Sequence, residues 1–318
     1  MTIEGTIEIQ VGGKLARVPV AFINKKTVIT TGNWLKKSSI MDEEFQEGET
    51  LDDPEAFVSK LKDAGVKSDI FSFAQKVPDV TRKYNYHMEW DNAAVIPITS
   101  YSDWLENRVE QDVRKAIRRA KRLGVIVKLA EFNDAFVEGI CGIYNESSVR
   151  QGTAFWHYQK NFDTVKRENS TYLERSAYIG AYFNDELIGF IRMVYVGNVA
   201  ATLQVISQKR HFDKKPTNAL IAKAVEICEM NKVSHLVYGN YVYNDMHNSL
   251  TEFKRRNGFE QILLPRYYIP FTLKGQIALK LRFHHPLVQL IPKPVLTQIR
   301  AIKTLWHKRN TQSLSNAT

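Results

Sequence analysis

One stretch of the sequence, residues 144–158, carries a mixture of side chains that could do chemistry. It reads Y-N-E-S-S-V-R-Q-G-T-A-F-W-H-Y, and loops that combine charged, amide and aromatic groups in this way often line binding sites. Because proton transfer needs a titratable group at the reacting atom, Glu146 is our first candidate for a general base and His157 the second. The candidate substrate contacts are Asn145, Arg150, Gln151, Phe155 and Trp156. A polar loop with aromatic anchors is the alternative interpretation.

A second stretch, residues 208–218, places cations just before a predicted helix. It reads Q-K-R-H-F-D-K-K-P-T-N, and the helix is expected to begin at Pro216, where Thr217 or Asn218 could cap it. Free N–H groups at a helix N-terminus bind phosphates, and neighbouring cations strengthen the binding. The candidate cations of this loop are Lys209, Arg210, Lys214 and Lys215. A purely structural loop is the alternative.

A third polar stretch, residues 240–247, follows a short predicted strand and reads N-Y-V-Y-N-D-M-H. Ligands of open α/β sheets bind near the carboxyl ends of strands. Tyr241, Tyr243 and Asn244 are therefore candidates for a catalytic acid or for contacts with the reacting end of a donor molecule.

Metal ligands are scarce in the sequence. The two cysteines, Cys141 and Cys228, lie in apolar stretches without histidines at a zinc-binding spacing, which indicates buried thiols in a reducing compartment. His284 and His285 have no further ligand nearby in the sequence. We therefore predict no metal.

The elements that must position these groups alternate between strand and helix, and no internal repeat is visible in the sequence. Apolar periodicity predicts strands within residues 1–31, a helix over 52–64, and a long helix from residue 102 to Gly124. Further strands are expected at 70–74, 94–98, 125–130, 178–183, 187–196, 200–207, 235–238 and 262–271. Further helices are expected at 132–144, 216–230 and 248–257. This order implies an α/β fold, with a mixed central sheet flanked by helices on both faces.

The long predicted helix has one strongly basic face. Residues 114–122 read R-K-A-I-R-R-A-K-R and hold six cations in nine positions. Lysine and arginine clustered on one helix face attract anionic ligands, so this face could guide phosphates. A solvated helix face is the alternative.

The charge of the chain is concentrated at its C-terminal end. The net charge is +10, yet residues 261–318 hold nine basic residues and no acidic one, which leaves 35 basic and 34 acidic residues before them. We divide the chain into a smaller N-terminal α/β unit at 1–95, a main domain at 96–273 and a basic amphipathic tail at 274–318. The tail is expected to end in a helix that either packs on the body or binds an anionic membrane. The apolar stripe of that helix comprises Val295, Ile299, Ile302 and Trp306.

Composition otherwise indicates a soluble protein. The hydrophobic fraction is 44%, and no apolar run is long enough to cross a membrane. The alternating polar and apolar N-terminus predicts a strand rather than a signal peptide, so we expect a cytoplasmic location.

The order of elements in residues 96–273 resembles the GNAT acyltransferase superfamily and its Fem-type branch. The strand A-T-L-Q-V-I-S, the polar loop and the helix opening P-T-N-A-L-I stand where that superfamily binds acyl-CoA. The segment L-T-E-F-K-R-R-N-G-F at 250–259 resembles its fourth helix. The basic segment 113–124 is similar to the R-x-x-I-R-x-A helix of Fem-type transferases.

The resemblance implies an N-acyltransferase that uses acetyl-CoA or a longer acyl-CoA. It places Leu203, Val205 and Ser207 at the reacting carbonyl and the pantetheine. The sequence departs from the pattern twice: the Q/R-x-x-G-x-G/A phosphate loop has no glycine here, and Lys254 replaces the tyrosine that acts as the acid. A lysine could take that role only with a strongly lowered pKa, which requires burial, and we do not expect this.

The resemblance leaves the acceptor open. By analogy with Fem-type enzymes it could be an amino-sugar or a lipid-linked glycan precursor at the inner membrane face, reached through peripheral contact by the tail. One alternative is an aminoacyl-tRNA-dependent Fem-type transferase, in which the basic helix would hold RNA, although residues 1–95 look short for a complete first half. Another is a non-catalytic module that binds anionic surfaces.

Overall fold

A computed structural model of the chain describes residues 5–11, 14–150, 153–243 and 248–285. The twelve strands of its main sheet are β1 Gly5–Val11, β2 Lys14–Ile23, β3 Lys26–Thr31, β4 Lys37–Ile40, β5 Ile70–Ala74, β6 His87–Pro97, β7 Ile126–Ala130, β10 Ser176–Phe183, β11 Glu186–Val196, β12 Val199–Ser207, β13 His235–Val237 and β14 Glu260–Pro270. A separate ribbon pairs β8 Val149–Arg150 with β9 Thr153–Ala154.

Eight α-helices are described. They are α1 Pro54–Asp63, α2 Tyr101–Asp103, α3 Gln111–Arg122, α4 Asp134–Asn145, α5 Phe162–Asn169, α6 Pro216–Met230, α7 Ser249–Arg256 and α8 Leu273–Lys280. The strand order across the sheet is β1-β2-β3-β4-β5-β14-β6-β13-β12-β11-β10-β7. The predicted α/β fold is therefore confirmed.

The two halves of the sheet follow the same plan. In the first half, β2, β3 and β4 form an antiparallel meander, and α1 leads to β5, which lies parallel to β4. In the second half, β10, β11 and β12 form the meander, and α6 leads to β13, which lies parallel to β12. This repeat exists in the structure, although none is visible in the sequence.

The halves are joined by an exchange of strands. β6, which follows the first half in the chain, pairs with β13 of the second half, and β14 from the second half lies between β5 and β6. The pairing of β14 with β6 runs from the Glu260–Val95 pair to the Tyr268–His87 pair. The ends of the described chain are thus held together by one continuous sheet.

Helices cover both faces because the strand residues alternate in direction. On β10, Tyr178 packs in the core beneath α4, whereas its neighbour Ile179 packs in the core beneath α6. Both side chains are buried, so β10 follows the pattern of a strand covered on two sides. This arrangement leaves the N-terminus of α6 beside α3 and α7.

The long helix predicted from residue 102 to Gly124 is interrupted. A turn of π-helix at Trp104–Arg108 follows α2, Val109 is extended, and α3 begins at Gln111. The cause is tertiary: Trp104 is fully buried and donates from its indole to the Asn257 carbonyl at 3.0 Å. The Glu110 amide donates to the carbonyl of Arg256, so the break is bonded to α7.

Candidate functional site

A cleft of about 980 Å³ opens between α3, the start of α6 and α7. One wall is the basic face of α3, whose cations occur at i, i+3, i+4 and i+7 and so lie in one stripe. They are Lys115, Arg118, Arg119 and Arg122. We call these four residues the basic stripe. Asp112 and Glu252 also line the cleft, but no carboxylate of the described residues forms an ion pair with any of the four cations.

The opposite side of the cleft contains the N-terminus of α6. Lys215 adopts a left-handed conformation there, with φ of 56°, and both Lys215 and Asn218 line the cleft. No side chain of the described residues caps this helix, in contrast to the expected capping by Thr217 or Asn218. The start of α6 and the basic stripe therefore line the same cleft, which favours an anionic ligand.

Glu146 has a position that the sequence did not indicate. Its carboxylate accepts hydrogen bonds from the backbone amides of Lys209 and Arg210 at 2.7 and 2.8 Å, and from Arg150 at 3.2 Å. It therefore occupies the amides of the loop that was expected to receive phosphate. The geometry favours a positioning role, and a role as general base stays a prediction.

Three of the four predicted loop cations bind other groups of the protein and do not line the cleft. The Lys209 ammonium contacts Ser147 and the Val149 carbonyl. Arg210 pairs with Glu186. Lys214 pairs with Asp213 and lies over the Phe183 ring, and only Lys215 lines the cleft.

The predicted donor and substrate segments are bonded to each other. Arg150 donates to the Ser207 carbonyl at 2.9 Å, and its guanidinium lies over the Phe155 ring. The Ser207 hydroxyl in turn lies 2.9 Å from the Thr217 hydroxyl at the start of α6. The Asn145 side chain accepts from the Gln159 amide. These contacts brace the loop between β12 and α6.

His157 lies in a buried aromatic cluster. Its ring stacks on Tyr144 with centroids 4.3 Å apart and also contacts Trp156, whose side chain remains partly exposed. Burial, together with the positive charges of Lys160 and Arg150, lowers the pKa of His157 to about 3. The imidazole is therefore neutral near pH 7 and can accept the amide of Gln204, which lies 3.4 Å away. Gln151 lies outside the described residues.

β12 has an open edge next to these groups. Its pairing with β13 ends at Ala201, whereas its pairing with β11 continues to Ser207 with a bulge near residue 203. Leu203 is exposed and Val205 packs on the main core. On the side where β13 no longer pairs with β12, the backbone N–H and C=O groups of residues 202–207 therefore have no strand partner among the described residues.

Lys254 lies on α7, and our expectation that it is not buried was wrong, whereas a role as the acid stays untested. Its side chain is fully buried, and its ammonium donates to the Asn240 carbonyl and lies over the rings of Tyr238 and Tyr243. Burial lowers the pKa of Lys254 to about 8. Tyr241, which was predicted to be catalytic, is buried in the core that also contains α6. Asn244 lies outside the described residues.

Comparisons with known proteins identify the fold. No family model matches the sequence, and no curated protein sequence matches it significantly. The structure of FemX matches with a TM-score of 0.56 at 10% identity, over 87% of this chain and 90% of FemX. This chain has the fold of FemX.

Two further solved structures have the same architecture. The C-terminal domain of a lysylphosphatidylglycerol synthetase from Agrobacterium fabrum matches with a TM-score of 0.55 at 11% identity, over 83% of this chain and 87% of that domain. L-PGS from Bacillus licheniformis gives 0.52 at 13% identity, over 81% of this chain and 85% of that one. At these identities the likeness establishes the fold alone.

Because Glu146 binds two backbone amides of the loop before α6, its substitution should affect both stability and donor binding. Glu146→Gln should lower the free energy of unfolding by about 1–2 kcal/mol, because one of the two loop amides loses its partner. Donor affinity should fall several-fold in the same variant, since the loop leads directly to the N-terminus of α6. Chemical denaturation and titration calorimetry measure the two effects.

Glu138→Gln is the matched control, because Glu138 is an exposed glutamate on the same helix. It should leave both quantities unchanged. A Glu146→Gln variant with normal stability and donor affinity but with turnover reduced a hundredfold would contradict the positioning role and return Glu146 to the role of general base.

Proposed function

We propose that this chain is a transferase that moves an aminoacyl group from an aminoacyl-tRNA to an amine. The observation that carries the proposal is the cleft between α3, α6 and α7, which the basic stripe lines together with the N-terminus of α6; among the described residues the stripe forms no ion pair and no side chain caps that helix. Arginines and lysines on one helix face bind the phosphates of a nucleic acid backbone. The Fem-type fold supports the reaction class.

The loop before α6 supports tRNA over acyl-CoA as the donor. Backbone amides of this loop would bind a pyrophosphate, but those of Lys209 and Arg210 already bind the carboxylate of Glu146. Side chains at positions 211 and 213 replace the glycines that would permit close approach of a diphosphate. The basic stripe spans two helical turns, roughly 10 Å, which suits successive phosphates of an RNA strand.

The reaction can be written with the described groups. The neutral amine of the acceptor attacks the ester carbonyl, the C–N bond forms, and the carbonyl oxygen becomes an oxyanion. Backbone N–H groups along residues 202–207 of β12 are the proposed donors to this oxyanion. The C–O bond to the ribose then breaks, and the protonated amine loses a proton to solvent.

Lys254 is the proposed proton donor to the departing ribose oxygen. An ammonium with a pKa of about 8 is protonated near pH 7 and gives up its proton more readily than an ordinary lysine. Lys254 donates to the carbonyl of Asn240, in the segment that follows β13 after its pairing with β12 has ended, and we propose that this segment brings it to the reacting ester. It stands at the position of the family's acid tyrosine, which the resemblance already indicated.

Acyl-CoA is the second candidate donor. The first amides of α6 and Lys215 form a small anion site that a CoA diphosphate could use without the preceding loop. A donor panel separates the two candidates: acetyl-CoA, a long-chain acyl-CoA, uncharged tRNA and aminoacyl-tRNA.

We expect aminoacyl-tRNA to bind and Arg119→Ala with Arg122→Ala to weaken binding at least tenfold, because both arginines lie in the basic stripe. Lys121→Ala, which removes an exposed cation of α3 that does not line the cleft, is the control and should change the affinity less than twofold. Filter binding at two salt concentrations measures both, and the double variant should also reduce the salt dependence. Binding of acyl-CoA but not of tRNA would select the second candidate and overturn the first.

The acceptor is proposed to lie at a membrane surface, as an amino-sugar or a lipid-linked glycan precursor. α8 supports this with a stripe of exposed apolar side chains at Leu273, Ile277 and Leu281, beside the exposed Trp34 and Phe283. Basic residues surround the stripe in the sequence, and tryptophan is favoured at membrane interfaces. In the described part of the chain, no helix has the length and apolarity to span a membrane.

We expect Ile277→Glu with Leu281→Glu to abolish sedimentation with phosphatidylglycerol liposomes. Truncation before α8 would be a poorer test, because Ala278 and Leu279 are buried against Leu35. The matched control is Ile126→Glu with Leu129→Glu, two exposed apolar residues of β7. The wild type should bind anionic but not neutral liposomes and dissociate near 0.5 M salt, roughly where the screening length falls to a few ångströms. Equal sedimentation of both double variants would contradict the membrane contact.

A further inference from the structure

Four side chains from remote parts of the chain meet at the start of β6. His87 and Glu89 lie on β6, and His284 and His285 follow the end of α8. One oxygen of Glu89 lies 3.0 Å from His284 Nε2 and 3.4 Å from His87 Nε2. The other oxygen lies 2.8 Å from His285 Nε2. The ligand atoms of His87, Glu89 and His284 all lie within 4.8 Å of one another.

The surroundings hold this cluster in place. Only 1% of the His284 side chain is exposed, and its ring packs edge-on against Tyr268 with centroids 4.8 Å apart. The Lys37 ammonium binds the carbonyl of His284 at 2.8 Å, which fixes the backbone there. Nε2 of His285 is shielded from solvent and, among the described residues, makes no hydrogen bond of acceptable geometry despite its short distance to Glu89.

We propose that this cluster binds a divalent transition metal, with zinc as the ion its chemistry fits best. Imidazole nitrogen and carboxylate oxygen are ligands that zinc accepts, at bond lengths of about 2.0–2.1 Å in a tetrahedral arrangement. Two ligands of such a site are about 3.3 Å apart, since the tetrahedral edge follows from those bond lengths. The separations of 3.0 and 3.4 Å around Glu89 agree with this value. His87, Glu89 and His284 supply three ligands, and a solvent molecule would complete the tetrahedron. His285 lies beside the second oxygen of Glu89, outside this group of three.

The ion would hold the segment after α8 against the sheet. His284 and Glu89 are 195 positions apart, so no sequence spacing reveals the site, and the prediction of no metal considered only ligands that are close in the sequence. The cluster is at the start of β6, whereas β6 contacts β13 through residues 95–97 at its other end. The site therefore lies apart from the β6–β13 pairing and from the proposed reaction site.

Calorimetry tests the proposal on the full chain, without an affinity tag and after treatment with a chelator. Titration with zinc chloride should give one zinc per chain and a rise in melting temperature. Glu89→Gln and His87→Gln should each weaken zinc binding at least about tenfold, because each removes or neutralises a ligand. Replacement of zinc by cobalt(II) should give the intense visible absorption of a tetrahedral site.

Two variants, His87→Gln and His235→Gln, are compared with the wild type. His87 is exposed, so His87→Gln should match the wild type in melting temperature without zinc and should differ only when zinc is present. His235→Gln, which changes a histidine on β13 beside Ser234, is the control and should bind zinc like the wild type. Failure of the wild type to bind zinc at micromolar concentrations would overturn the proposal. Zinc binding that survives both His87→Gln and Glu89→Gln would overturn it equally.

Discussion

The organisation of the candidate site depends on one carboxylate. Glu146, at the end of α4, accepts the amides of Lys209 and Arg210 and also pairs with Arg150. Its side chain is mostly buried, so these charge-assisted bonds are poorly replaced by water. An internal anion has thereby taken the amides that a diphosphate would use in a glycine-rich loop. The charge available for an external anion then lies across the cleft, on α3, and at the first turn of α6.

The exchange of strands explains why a site can form there. Because β6 from the first half pairs with β13, and β14 from the second half pairs with β5, neither half is complete without the other. The break before α3 is bonded to the end of α7 through Trp104 and Glu110, which turns the basic stripe toward α6. The cation stripe and the N-terminus of α6 are thus positioned by contacts between residues about 140 to 200 positions apart.

Local signals in the sequence were sufficient for most elements. The bounds of α6 and β5 were predicted as they occur, because Pro216 fixes the start of the helix and a short apolar run defines the strand. The structural repeat and the break at Val109 were missed, since both depend on tertiary pairing that periodicity does not contain. The start of α1 is equally local, because the Asp53 side chain accepts a hydrogen bond from the Ala56 amide.

The candidate site was less accessible from the sequence. The residue types were sufficient to predict the basic face of α3. They did not indicate that Lys214 forms an ion pair with Asp213, whereas Lys215 lines the cleft. Lys254 was discounted because lysines are seldom buried, and only the contacts of Lys254 with residues 238–243 reveal its burial. The histidine cluster at Glu89 is likewise formed by the fold. Burial and long-range pairing, which residue type does not reveal, account for the differences between the predicted and the observed site.

The most direct test of the account is the discharge of an aminoacyl-tRNA to water, measured as the release of labelled amino acid above the buffer rate. The wild type should accelerate the discharge near pH 7, and the acceleration should fall as the pH rises through about 8, because Lys254 then loses its proton. Lys254→Met should abolish the acceleration while tRNA binding is retained, and Lys121→Met should behave as the wild type. An acceleration unchanged by Lys254→Met, or one seen with acetyl-CoA but not with aminoacyl-tRNA, would contradict the account.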